Sequence, residues 1–209
     1  MTRIAVSSIL VVVSACGQAP RARPAKPPPP VPSISGSDLT FAGWDGSSSL
    51  IRKEETAENG RLKVSYLALG SSPRPVPAHA APDLPPGEVL VRDYTDAASP
   101  ASARFEFDAP AAQVQALESA IEAWWKEGSQ KGNPFPVIQA RFRVFLRDAA
   151  GERLVWEQKR DLSAVISENG YHWEPPRLRF ASLAPSRSAL LVELVSAGVS
   201  EFVRIPLHE

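Results

Sequence analysis

Few residues of this chain could do chemistry, and their spacing argues against most reactions. There are three histidines, His79, His172 and His208, and one cysteine, Cys16. Zinc sites draw three or four ligands from short paired spacings, and neither a His-x-x-x-His nor a paired-cysteine spacing occurs, so no metal and no cofactor is indicated. Gly46-Ser47-Ser48-Ser49 is a serine-rich loop without a base nearby, and no Gly-x-Ser-x-Gly elbow, Ser-x-x-Lys or Walker-type loop is found. Glu54, Glu55 and Glu58 cluster beside a turn, where solvent holds carboxylates near their ordinary pKa, so they read as a solvated tip. What remains are aromatics beside turn signals. Trp44 precedes Asp45-Gly46, while Tyr171 and Trp173 lie between Asn169-Gly170 and Pro175-Pro176. Aromatics at the ends of a sheet stack sugar rings, anchor a protein partner or plug the open end of the fold. Plugging is the favoured reading, because tryptophan is usually buried. The expectation is therefore a non-enzymatic protein with Trp44, Tyr171 and Trp173 as its possible ligand or partner contacts.

These residues must be held by strands. From residue 36 onward the dominant signal is period-two alternation. Over 137–147, Ile138, Ala140, Phe142, Val144 and Leu146 alternate with Gln139, Arg141, Arg143 and Arg147. The turn 148–151 then leads to a return strand over 152–159, with Leu154 and Trp156 expected on the inner face. A second hairpin is expected where 49–53 and 61–69 flank Asn59-Gly60, and a third where 189–195 and 202–205 flank Ala197-Gly198. Further strands are expected at 39–44, 88–94, 103–107 and 177–180.

One helix interrupts the pattern, near 109–127, with Asp108 as the expected N-cap, Pro110 in the first turn and Gly128 as the stop. Val114, Leu117, Ile121, Trp124 and Trp125 share one arc of it, the two tryptophans at its edges. Adjacent tryptophans suggest ligand stacking, but their place on the apolar arc favours two core residues. Together these elements predict a mostly-β fold, a β-sandwich in the transthyretin-like or immunoglobulin-like range with one packed α-helix.

The amino-terminal residues differ in kind. Residues 1–35 carry Arg3, Arg21, Arg23 and Lys26 and no acid, leaving 19 basic against 23 acidic residues from position 36 onward. A mildly acidic domain suits a phosphate backbone poorly, so nucleic acid is not an expected partner. Met1-Thr2-Arg3 is a short basic start, and the apolar run over 4–13 is about half the ~20 residues that a spanning helix needs. It ends in Val13-Ser14-Ala15-Cys16. This resembles the lipobox of bacterial lipoproteins, an aliphatic residue and two small ones before a cysteine, over the first 17 residues alone. The resemblance implies a signal peptide at 1–15 that is cut before Cys16, a diacylglycerol on the Cys16 thiol and acylation of the new amino group. The lipid bilayer is then the expected partner of Cys16. Gly17 stands where an inner-membrane retention signal would place Asp, which favours the outer membrane, with the domain in the periplasm or at the cell surface.

Seven prolines between residues 18 and 35 exclude helix and sheet core, so 16–35 is expected to be the lipidated cysteine and a stiff, polyproline-II-like tether. The domain is placed at 36–209, with a second proline-rich stretch at 71–87 as a crossover between sheets. Two short hairpin strands before it could not bury a core alone. The functional expectation is a membrane-anchored envelope lipoprotein serving as a binding or accessory subunit of a cell-envelope assembly, with an envelope protein as its partner. The alternatives are a carbohydrate or cell-wall binding module that uses the loop aromatics, and a hydrolase of unrecognised type.

Overall fold

A computed structural model describes residues 31–57, 59–70, 73–77, 84–92, 95–96, 101–127, 135–167 and 170–207. Cys16 and the expected signal peptide, His79, His208, Glu58 and Gly128 lie outside these residues. In chain order the strands are β1 (Ser33–Gly36), β2 (Leu39–Asp45), β3 (Ser48–Thr56), β4 (Leu62–Leu69), β5 (Pro73–Val76), β6 (Glu88–Arg92), β7 (Thr95–Asp96) and β8 (Ser102–Asp108). The helix α1 (Ala111–Glu127) follows, then β9 (Ile138–Asp148), β10 (Gly151–Leu162), β11 (Val165–Ser167), β12 (Gly170–His172), β13 (Arg177–Leu183), β14 (Ala189–Ser196) and β15 (Val199–Pro206).

The fold is mostly β and sandwich-like, with one helix among the described residues. Every pairing is antiparallel. A six-stranded sheet runs β1-β15-β14-β13-β6-β7, a four-stranded sheet β2-β3-β4-β5, a three-stranded sheet β10-β9-β8, and β11 pairs with β12. The six-stranded sheet is covered on both faces. Leu190, Val192 and Leu194 of β14 join Phe142, Val144 and Leu146 of β9 in the larger core, which Leu117 of α1 closes. Leu191 and Ala189 point the other way and meet Leu39, Trp44, Ile51 and Leu69 of the four-stranded sheet. This explains why β14 reads Ala-Leu-Leu-Val-Glu-Leu-Val without alternation: a strand buried on both faces needs apolar residues at every position. The polar member, Glu193, is buried and ion-paired with Arg179.

Sheet structure begins at Ser33, ahead of the expected boundary at 36, because β1 pairs with β15 and Pro32 O accepts the Arg204 N–H at 3.0 Å. The proline-rich stretch at 71–87 contributes β5, with Pro73 and Pro75 on the outermost strand of its sheet, where a missing N–H costs no ladder bond. Through this stretch the chain passes from the four-stranded to the six-stranded sheet.

Two local expectations need correction. Asp108 does not cap α1: Pro110 O accepts the first helical N–H groups, from Gln113 at 2.9 Å and Val114 at 3.2 Å, while the Asp108 carboxylate faces Arg143 at 3.4 Å. Leu154 does not share the inner face with Trp156. The register of β10 shifts between the two residues, Leu154 lying opposite Phe145 and Trp156 opposite Val144. The extra residue, Val155, is a β-bulge that reverses the alternation, so Leu154 is 48% exposed and Trp156 7%.

Candidate functional site

The three sequence candidates separate in space. Trp44 is 1% exposed in the smaller core, and its indole N–H donates to Ser182 Oγ at 3.1 Å. It presents no face to a ligand. A strap of backbone holds it there. The Trp44 N–H donates to Pro85 O at 2.9 Å, and Ser182 Oγ donates to Pro86 O at 2.6 Å. Gly87 ends the strap at φ +71°, under Leu183 O and against the Trp44 indole. Trp173 is half-buried, packed against the larger core and against Phe107, whose ring centre lies 6.4 Å away. Tyr171 is half-buried as well, but it belongs to a different company.

That company is an aromatic cluster at one end of the fold. The Tyr171 ring centre lies 5.1 Å from Trp124 at an interplanar angle of 83° and 4.6 Å from Phe135. Trp124 meets Trp125 at 5.1 Å and 81°. The helix delivers both tryptophans from its last turns, and β12 delivers Tyr171. Gly170 lets them meet, since a Cβ there would stand 2.7 Å from Trp124 and 3.0 Å from Trp125. Trp124 is half-buried, as its place on the apolar arc requires. Trp125 is not a core residue: it is 54% exposed. Its N–H donates to Tyr171 O at 3.0 Å. Ile166, directly across from Tyr171 in that hairpin, is 68% exposed. Val137, two residues beyond Phe135, is exposed too. Trp125 and Ile166 are thus large exposed apolar side chains beside the cluster, and Val137 lies two residues along the chain from one of its members.

The cluster has a defined place relative to the chain entry. His172 Nε2 lies 3.4 Å from Ala197 O, and Ser196 Oγ donates to Glu174 O at 2.7 Å, so β12 sits beside the turn between β14 and β15. The chain enters at Pro32, beside Arg204 at the other end of β15. At about 3.3 Å per residue, the length of β15 separates the two ends by roughly 23 Å.

The carboxyl groups of Glu55 and Glu152 are shifted downward. The Glu55 carboxyl is held below the usual carboxylate range by a hydrogen bond from Lys53 and its charge. A hydrogen bond from Arg104 depresses the Glu152 carboxyl, and the charges of Arg104 and Arg147 add to it. Both shifts favour the ionised form, the opposite of what a general acid at neutral pH requires. His172 meets two backbone carbonyls, Gly170 O and Ala197 O, each at 3.4 Å. Among the described residues no group of three or more His, Cys, Asp and Glu is placed to hold a metal ion. Among them, too, no helix is long and apolar enough to cross a membrane.

The outer face of β8, β9 and β10 is a ladder of ion pairs. Arg104 binds Glu106 and Glu152, Arg147 binds Glu152 and Arg143 binds Glu106 and Asp108. Opposite charges alternate across it, so it offers no one-signed patch to a polyanion. Comparison with known proteins adds no kinship: no family model matches the chain, and no curated protein and no solved structure matches it significantly.

Proposed function

We propose that this chain is a membrane-anchored envelope lipoprotein that acts as a non-enzymatic binding subunit, tethered through a lipid on Cys16 and engaging its partner through the aromatic end. The observation that carries this reading is the opposition of the two ends. The chain enters at Pro32 beside Arg204, and the cluster of Trp125, Trp124, Tyr171 and Ile166 lies at the far end of β15, beside the turn at Ala197. The Val13-Ser14-Ala15-Cys16 sequence supports the anchor. Two or more acyl chains hold a protein on a membrane firmly, whereas one binds marginally.

Membrane fractionation tests the anchor. Cys16→Ser is expected to leave the domain folded and move it from the membrane pellet to the soluble fraction. A pellet-bound mutant would refute the anchor. A photo-crosslinker at position 166 tests the contact surface and is expected to capture one envelope component. The same group at Leu62, exposed at the far edge of the hairpin of β3 and β4, is expected to capture none. Equal capture at both positions would refute the assignment of the surface.

A further inference from the structure

β10 is the longest strand at the edge of a sheet, 12 residues from Gly151 to Leu162. One side pairs with β9, and the backbone groups of the other side bond to no strand among the described residues. Other edges are short or guarded. β1 has four residues and β7 two, β5 carries Pro73 and Pro75, β8 runs against β6 and β13, and the strap bonds to Trp44 of β2. β10 has no proline, and its bulge at Val155 leaves residues 156–162 in regular register.

The sequence of this edge complements itself. Leu154-Val155-Trp156-Glu157-Gln158-Lys159-Arg160-Asp161-Leu162 is centred on Gln158. Two copies paired antiparallel, with Gln158 on the twofold axis, set Glu157 of each opposite Lys159 of the other and Trp156 opposite Arg160, with Leu154 and Leu162 at the ends. Arg160 and Trp156 already meet within one chain, the guanidinium 5.5 Å from the ring centre. The unmatched pair, Val155 with Asp161, falls at the bulge. Lys159 has most to gain. It stands directly across from Arg141 of β9, where like charges destabilise a sheet, and it makes no ion pair among the described residues. Glu157 meets Arg141 only at 4.0 Å. A second copy brings a carboxylate to each Lys159 and an ammonium to each Glu157.

We infer that β10 is a self-association edge: two copies of this chain join β10 to β10, antiparallel about Gln158, and make one continuous sheet from two three-stranded ones. Each copy uses the same patch, so the contact closes as a dimer and stops. The inference goes beyond the binding-subunit reading and uses neither the aromatic end nor the anchor.

Oxidative cysteine cross-linking of the full chain in intact cells tests it, with the unsubstituted chain as the background for Cys16. Glu157, Gln158 and Lys159 are exposed, so substituting them leaves the core intact. Gln158→Cys places two sulfurs across the axis, where directly opposed residues have Cβ atoms about 4.5–5.5 Å apart, and is expected to give a disulfide-linked dimer on a non-reducing gel. Differently tagged Glu157→Cys and Lys159→Cys chains should link to one another more than either links to itself, because like positions stand about 7 Å out of register along the strand. Leu62→Cys, exposed on another sheet, should give no dimer above background. Adding Lys159→Glu to the Gln158→Cys chain opposes like charges at two positions and should cut the dimer several-fold, and adding Glu157→Lys as well should restore it. No dimer from Gln158→Cys, an equal yield from Leu62→Cys, or self-linked products in excess of the mixed one overturns the inference. So does a product that joins position 158 to a different protein without a dimer, which would make the edge a seat for a foreign strand.

Discussion

Gly87 is the residue whose replacement should do the most damage for its size. Its φ of +71° is a left-handed conformation, which costs an alanine about 1–2 kcal/mol. A Cβ there would stand 2.1 Å from Leu183 O and 2.7 Å from Trp44 Nε1. A carbon rarely approaches a carbonyl oxygen closer than about 3.3 Å, so the strap would have to retreat by roughly 1 Å. That retreat pulls Pro85 O and Pro86 O away from the Trp44 N–H and the Ser182 hydroxyl, which they now meet at 2.9 and 2.6 Å. Each buried group left unpaired costs about 1–3 kcal/mol. Alanine also stiffens the unfolded chain, which offsets about 0.4–1 kcal/mol. The expected net loss for Gly87→Ala is therefore about 2–7 kcal/mol. Gly46 provides the control. Its φ is +58°, but nothing lies within 4 Å of its would-be Cβ, so Gly46→Ala should lose only about 1 kcal/mol. Urea unfolding followed by tryptophan fluorescence reads both. With a slope of about 2 kcal/mol per molar, the midpoints should fall by roughly 1–3.5 M and 0.5 M. Equal losses would refute the argument, because the two sites share their backbone conformation and differ in the strap.

The bulge in β10 makes its own prediction: Leu154→Lys should change stability by less than about 0.5 kcal/mol, whereas Trp156→Ala should cost about 3–5 kcal/mol, both measured by urea unfolding. The ion-pair ladder predicts a pH dependence. The folded-state pKa of Glu152 is depressed, so its contribution to stability is present above the unfolded pKa and fades as pH falls through the folded one, below the usual glutamate range. Carboxyl-carbon NMR titration should place the Glu152 midpoint below that range, and Arg104→Ala should raise it. An unmoved midpoint in Arg104→Ala would show that this guanidinium is not the cause.

Much of the fold was legible because it depends on local pattern. The alternation over Ile138, Ala140, Phe142, Val144 and Leu146 specifies a half-buried strand whatever it packs on, and all five are buried in the larger core. Ala197-Gly198 specifies a tight turn because both residues adopt positive φ, at +50° and +76°. The mostly-β class with a single helix follows from these periodicities alone.

The site was less legible. Trp44 and Trp125 carry the same side chain, and their sequence context separates them poorly: Trp44 at a turn reads as a possible contact but in the first place as a buried plug, which it is, whereas Trp125 on an apolar arc reads as core and is 54% exposed. Side-chain chemistry and helical angle are properties of the sequence, whereas burial depends on what a distant segment brings opposite. Ser182 and the strap of residues 84–87 close over Trp44, whereas Trp125, although bonded to Tyr171 O in the hairpin of β11 and β12, stays 54% exposed. The bulge at Val155 is of the same kind, since an extra residue in a strand is defined only by the register of its neighbour. By itself the sequence determined the longer strands, the helix, most turns and the lipobox-like segment, because each is encoded within a few consecutive residues; β1, β5, β7, β11 and β12 appear only in the structure. The tertiary structure alone decided which tryptophan stays in water and that the aromatic end lies opposite the chain entry, because contacts between residues far apart in sequence exist only once the sheets have packed.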